Sequence, residues 1–170
     1  MEGKTFNTRT LVTMGLLLAM EIVLSRFLSI NAWNIKIGFN FVPVAVAAML
    51  YGPLGGALVA ALGDFLGAIL FPIGPYFPGF TLTAFLTGGV LGVFLYKKRS
   101  PLRIGAAVAI NQLVLGLFLN TYWISVLYGS PFWPLMATRI VQCLVLLLVQ
   151  FVVIGVIGRT LQRRWKQVAA

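Results

Sequence analysis

From Thr8 to Ile30 the chain reads TRTLVTMGLLLAMEIVLSRFLSI. Its core stays apolar long enough to cross a bilayer, since roughly 20 residues at about 1.5 Å of rise span a hydrocarbon layer of about 30 Å. The stretch reads as a membrane helix, being too long for the apolar part of a cleaved signal and followed at once by further apolar segments. Gly15 and Ala19 stand four apart and stack two small residues on one helical face, where another helix backbone can approach closely. Two readings of that strip stand: packing against the chain's own helices, or docking of another subunit. Glu21 near the middle and Arg26 near the far end are ionisable groups at a depth where they are costly unless they face a partner or a watery cavity. Gly15, Ala19, Ile22 and Arg26 share a face, and Glu21 points elsewhere.

With 60 % hydrophobic and 9 % charged residues in 170, the chain lies far from the composition of soluble domains. Apolar segments recur at about 10–29, 40–51, 53–70, 80–96, 104–127 and 131–158. The second is short and carries Pro43, and only Tyr51-Gly52-Pro53 separates it from the third. Charge placement arbitrates. Lys4 and Arg9 precede the first segment; Lys97, Lys98, Arg99 and Arg103 form a cluster; Arg159, Arg163, Arg164 and Lys166 close the chain, ten of its thirteen basic residues. Two crossings between residues 40 and 70 put all three clusters on one side, as the positive-inside rule requires, whereas one crossing does not. The expectation is an all-α integral membrane bundle of six helices forming a single transmembrane domain, with both termini cytoplasmic. The net charge of +10 is then topological and suits a lipid bilayer with anionic headgroups, not nucleic acid.

The outer half keeps only Arg26, Lys36 and Arg139 as basic residues. Residues 30–39, INAWNIKIGF, alternate apolar and polar side chains and read as an extended cover. Residues 71–80, FPIGPYFPGF, combine three prolines with Phe71, Tyr76, Phe77 and Phe80; this is either a stiff aromatic lid over a flat ligand or an interfacial aromatic belt. The third segment carries small residues at Gly56, Ala60, Gly63 and Gly67, the pattern of close helix packing. Asp64 adjoins that stripe. It pairs with Arg139 or Arg26, or accepts hydrogen bonds from a ligand.

Farther on, Gln112, Gly116, Asn120 and Trp123 follow at helical spacing, and Arg139, Gln142, Leu146 and Gln150 make a second stripe. Polar stripes inside hydrocarbon face inward. With Tyr122, Tyr128, Phe132 and Trp133 near the turn between them, they predict a cavity with aromatic walls and arginines, fit for a planar ring system bearing a carboxylate.

Several functions are excluded. No G-x-x-x-x-G-K-[ST] run is present, so the chain does not itself hydrolyse nucleotide. It has no histidine and a single cysteine, Cys143, so hydrolase chemistry, a disulfide and a metal site all lack their usual parts. No cofactor is called for. A binding or transport role leads.

The runs TFNTRTLVTMGLLLAMEIVLSRFLSI, IKIGFNFVPVAVAAMLYGPLGGALVAALGDFLGAILFP and GPYFPGFTLTAFLTG resemble the substrate-binding (S) subunits of energy-coupling-factor vitamin transporters, most closely the folate-specific type. The resemblance spans essentially the whole chain. It implies a multi-pass protein of the bacterial cytoplasmic membrane that captures folate outside and docks on a transmembrane coupling subunit bound to two ATPases, without being an enzyme itself. It implies that Gly15 and Ala19, where Gly replaces the usual first Ala, contact the coupling subunit, and that the outer loops gate a subunit that topples in the membrane. It also implies a binding or gating role for Arg26. Folate offers a pterin for Tyr76, Phe77, Trp123 and Trp133 to stack on and a glutamate tail for Arg26, Lys36 or Arg139, while Asp64, Asn120 or Gln142 meets the pterin's donors and acceptors. The alternatives are an S subunit for another vitamin or precursor, and a structural membrane subunit whose polar residues only hold helices together.

Overall fold

The computed structural model describes residues 8–31, 36–97 and 100–168. Helix α1 (Thr8–Arg26) leads through a short hairpin of β1 (Ser29–Asn31) and β2 (Lys36–Gly38) into α2 (Phe41–Leu70), followed by α3 (Pro78–Leu95), α4 (Pro101–Ala109), a π-helical segment (Ile110–Leu119), α5 (Asn120–Tyr128) and α6 (Phe132–Val168). Five rods are long and apolar enough to cross a membrane: Thr8–Arg26, Phe41–Leu70, Pro78–Leu95, Pro101–Tyr128 and Phe132–Leu161. The chain is a multi-pass membrane helical bundle. Within the segment expected to be extended, residues 30–31 and 36–38 are extended, with Ser29 paired to Gly38 and Ile30 to Ile37 in antiparallel register, and residues 32–35 lie outside the described residues. Lys4, Trp33, Lys98 and Arg99 lie outside the described residues, as does the side chain of Lys36.

The α2 rod is broken at Gly52, whose φ of 81° and ψ of −164° belong to no helix and suit a residue without Cβ. Pro53 follows, ready for the first turn of a new helix. The chain doubles back here: a methyl at Gly56 would lie 2.8 Å from Ala48 Cβ and 3.0 Å from its Cα, although eight residues of continuous helix span about 12 Å. Residues 41–51 and 53–70 are therefore two antiparallel arms. A methyl at Gly52 would lie 3.5 Å from the ring of Tyr96, which closes the turn from the end of α3.

Small residues let the second arm meet its neighbours. Toward α3, a methyl at Gly56 would lie 2.6 Å from the Gly88 carbonyl oxygen, and Gly92 abuts Pro53. Toward α1, Gly63 faces Glu21 and Gly67 faces Arg26. The glycine stripe is a close-packing device on two sides at once. Ala48, Met49, Leu91, Leu95, Ala107, Val108 and Ile154 form the core.

Helix α1 contributes Leu17, Glu21 and Ser25 to the interior at steps of four. Gly15 and Ala19 sit on the opposite, exposed side, and among the described residues no atom lies within 4 Å of a methyl placed on Gly15. Of the two readings of that strip, packing against the chain's own helices does not occur among the described residues. At the other end of the chain, α6 has 37 residues and a length of about 55 Å, well beyond the roughly 30 Å hydrocarbon layer.

Candidate ligand cavity

A cavity of about 250 Å³ lies between the helices. Every helix but α4 contributes: Glu21 from α1; Phe41, Val44, Ala60 and Asp64 from α2; Phe80, Thr83, Ala84 and Thr87 from α3; Asn111, Gln112 and Gly116 from the π-helical segment; Asn120 from α5; Arg139, Gln142, Cys143, Leu146 and Gln150 from α6, with Asn40 just before α2. The two polar stripes thus meet here, since 112, 116 and 120 lie on one wall and 139, 142, 146 and 150 on another. The π geometry aids the first. A step of four residues overshoots an α-helical turn by about 40°, and the wider π turn reduces that drift, so Gln112, Gly116 and Asn120 stay aligned.

The lining is richer in carboxamides than in rings. Asn111, Gln112, Gln142 and Gln150 are all buried, and a carboxamide presents both donors and an acceptor. The Oδ1 atoms of Asn111 and Asn120 have no hydrogen-bond partner among the described residues, although Asn111 Nδ2 donates to the Thr87 carbonyl at 3.4 Å. Acceptors buried without partners are costly and suit a ligand that donates. Phe41 and Phe80 are the aromatic residues of the wall. Trp123 stands behind it: its indole N–H donates to Thr83 Oγ1 at 3.1 Å, Thr83 donates to the Gly79 carbonyl at 2.9 Å, and its ring packs at 5.5 Å against Phe77. Aromatic walls were expected from side chains that here form a second layer.

The charged residues separate into two arrangements. Arg139, 6 % exposed, lines the cavity and donates through Nη2 to the Gly116 carbonyl at 3.3 Å, which ties α6 to the π-helical segment. Arg26 does not line it. Its Nη2 donates to the Asp64 carbonyl at 3.2 Å and lies 3.8 Å from Asp64 Oδ1, so Arg26 rather than Arg139 is the partner of Asp64. Thr81 donates to Asp64 Oδ2 at 2.8 Å, and the hydroxyls of Thr81 and Tyr76 are 3.3 Å apart. One carboxylate thus joins the end of α1, the start of α3 and the loop before it. Tyr76 also packs edge-on against Phe65, and Trp133 stands 74 % exposed, away from the cavity.

Of the ligand-binding residues proposed from the sequence, Asp64, Asn120, Arg139 and Gln142 are brought together on the wall. Arg26, Tyr76, Phe77 and Trp123 lie just behind or above it. Asn40, Thr83, Thr87 and Asn111 join the site without a sequence signal. Hydroxyl and amide side chains are ordinary in membrane helices, and only the packing shows which way they face.

The comparisons with known proteins bear on this geometry. A family model described as "ECF transporter, substrate-specific component" matches residues 9–158. The chain belongs to this family. S components are parts of transporters and not enzymes. The chain is 42 % identical over 137 residues to the folate transporter FolT of Clostridium novyi (strain NT), covering 80 % of each. It is 34 % identical over 131 residues to FolT of Leuconostoc mesenteroides, covering 75 % of this chain and 70 % of that one. The crystal structure of FolT bound with folic acid superposes with a TM-score of 0.86 at 31 % identity, over 91 % of this chain and 95 % of that one. An S component of a bacterial ECF transporter, 23 % identical with a TM-score of 0.61, shares the fold.

Proposed function

We propose that this S component binds folate in the cavity and passes it to a coupling subunit driven by two ATPases, in the cytoplasmic membrane of a bacterium. The observation that carries the reading is the close superposition on a FolT that holds folic acid, together with a polar cavity at the junction of the helices. A pterin is flat and edged with donors and acceptors, which suits the carboxamides of Asn111, Gln112, Asn120 and Gln142. The glutamate tail of folate needs a cation, and Arg139 is the basic residue of the wall. Arg26, held by Asp64, and Tyr76, Phe77 and Trp123 act as a surround; Lys36, in β2, is a further candidate for the tail.

The same reading gives six crossings with both ends cytoplasmic. The reversal at Gly52 supports it, and so does the charge: Arg9, Lys97, Arg103 and Arg159 gather at the ends away from the hairpin. The open strip at Gly15 and Ala19 supports docking there, because a helix backbone can approach a surface that none of the described residues covers.

The test is a titration of intrinsic tryptophan fluorescence in detergent with folate and, separately, riboflavin, biotin, thiamine and pantothenate. Trp123 touches Thr83, a wall residue, so folate is expected to quench it saturably, with calorimetry confirming the stoichiometry. A response to another vitamin alone replaces the ligand. No response to any of them leaves a structural subunit.

A further inference from the structure

The chain contains three acidic residues, and two of them, Glu21 and Asp64, stand on the cavity wall. Their settings differ. Asp64 has Thr81 on one oxygen and Arg26 beside the other, so both oxygens serve contacts between helices. Glu21 is 3 % exposed, and it is the one group that α1 sends to the cavity. The amide of Asn40, another wall residue, approaches its Oε1 at 3.5 Å. The carboxylate passes over Gly63, at the place where any side chain on that position would begin. A glycine therefore clears the route by which a charged group reaches the cavity. An ionisable group so placed in a membrane bundle is costly, and packing alone would be better served by an apolar residue.

We infer that Glu21 reads the amino-heterocycle head of the ligand, its two oxygens accepting the exocyclic amino group and the adjoining ring N–H of a 2-amino-4-oxo-pteridine. The inference rests on the folate reading above and adds the orientation. A carboxylate only accepts hydrogen bonds, and the 2-amino and N3–H groups are adjacent donors on one edge, so two parallel charge-assisted bonds form. Arg139 answers the carboxylate end of the ligand. One acid and one base on the same wall then fix which end of the molecule enters where. A ligand lacking the amino group leaves a buried carboxylate oxygen without its donor, the situation in which polar sites discriminate most strongly.

The experiment measures affinities for folic acid and for its 2-desamino-2-methyl analogue, by calorimetry in detergent, with the wild-type protein, Glu21→Gln and Gly63→Ala. The wild type is expected to prefer folic acid by about 100-fold or more. Glu21→Gln should lose about 10- to 100-fold for folic acid and little for the analogue. Gly63→Ala keeps the charge and requires only the flexible end of Glu21 to move, so it should show the same loss of discrimination even if Glu21→Gln does not fold. Unchanged discrimination in a folded variant overturns the role of Glu21 while leaving the folate reading intact. A wild type that binds folic acid but does not prefer it over the analogue also overturns it. A wild type that binds neither compound overturns the folate reading, and this inference with it.

Discussion

Adjacent glycines of α3 offer a sharp test of what spaces the helices around the cavity. A methyl at Gly88 would overlap the Gly56 carbonyl and lie 2.7 Å from the backbone nitrogen of Ala57, whereas at Gly89 it would meet nothing within 4 Å. The obstructing atoms at Gly88 are all backbone, so relief requires α3 to move off α2. Both Gly→Ala changes gain about 1 kcal/mol of helix propensity. At Gly88 this is set against an overpacking cost of about 1–3 kcal/mol, toward the upper end because no side chain can rotate away. The net expectation is a loss of about 2 kcal/mol for Gly88→Ala and a gain of up to about 1 kcal/mol for Gly89→Ala. At about 2–4 °C per kcal/mol for a chain of this size, the melting temperatures should separate by about 6–12 °C. Thermal unfolding in one detergent, followed by fluorescence, measures this. Ala60 and Asp64 face the cavity from α2, and Thr83 and Thr87 from α3, so Gly88→Ala should weaken ligand binding as well. Equal melting temperatures for the two variants would refute the claim that the Gly56–Gly88 contact sets the spacing.

Arg139→Ala should weaken folate binding by about 10- to 100-fold, read by calorimetry; an unchanged affinity removes Arg139 from the site. Trp123→Phe should abolish most of the folate-induced quenching while calorimetry still detects binding, which checks that this indole reports on the cavity. A double-mutant cycle over Arg26→Gln and Asp64→Asn should give a coupling of about 1 kcal/mol in thermal stability, since the two side chains are largely buried and 3.8 Å apart; additive effects would argue that the pair does not hold α1 to α2. Gly15→Trp should spare the folate titration and block copurification with the coupling subunit, and normal copurification would sink the docking proposal.

Much of the fold is legible in the sequence because membrane helices announce themselves by length, and because Tyr51-Gly52-Pro53 carries both a residue tolerant of positive φ and one suited to start a helix. The stripes at 112, 116 and 120 and at 139, 142, 146 and 150 are legible for the same reason: polar groups in hydrocarbon have one direction to face. The partner of Asp64 is another matter. Arg26 and Arg139 are equally plausible by type, and the choice depends on α1 running alongside the second arm of α2, a contact between residues 38 apart in sequence. The fate of Glu21 likewise depends on Gly63 standing opposite. Rings are harder still, since Trp123 behind the wall and Trp133 at the surface are both aromatic residues near a helix end, and sequence spacing does not separate them. The π-helical geometry of residues 110–119 has no sequence mark at all.

That π-helical segment carries a consequence for how such chains can diverge. Its i→i+5 bonding accommodates one residue more per turn of hydrogen bonds than an α-helix does, so the segment is where the rod from Pro101 to Tyr128 absorbs a change in length. Removing a single residue between Ile110 and Leu119 would let the rod close as continuous α-helix without disturbing either end. The cost would fall on the wall within the segment: residues on either side of the deletion would change their relative facing by part of the about 100° that one α-helical residue turns, and Gln112 and Gly116 would lose the alignment that the wider turn gives them. A one-residue insertion or deletion here can therefore change what the cavity accepts while leaving the bundle standing, making length, rather than any substitution, the most economical variable for altering specificity.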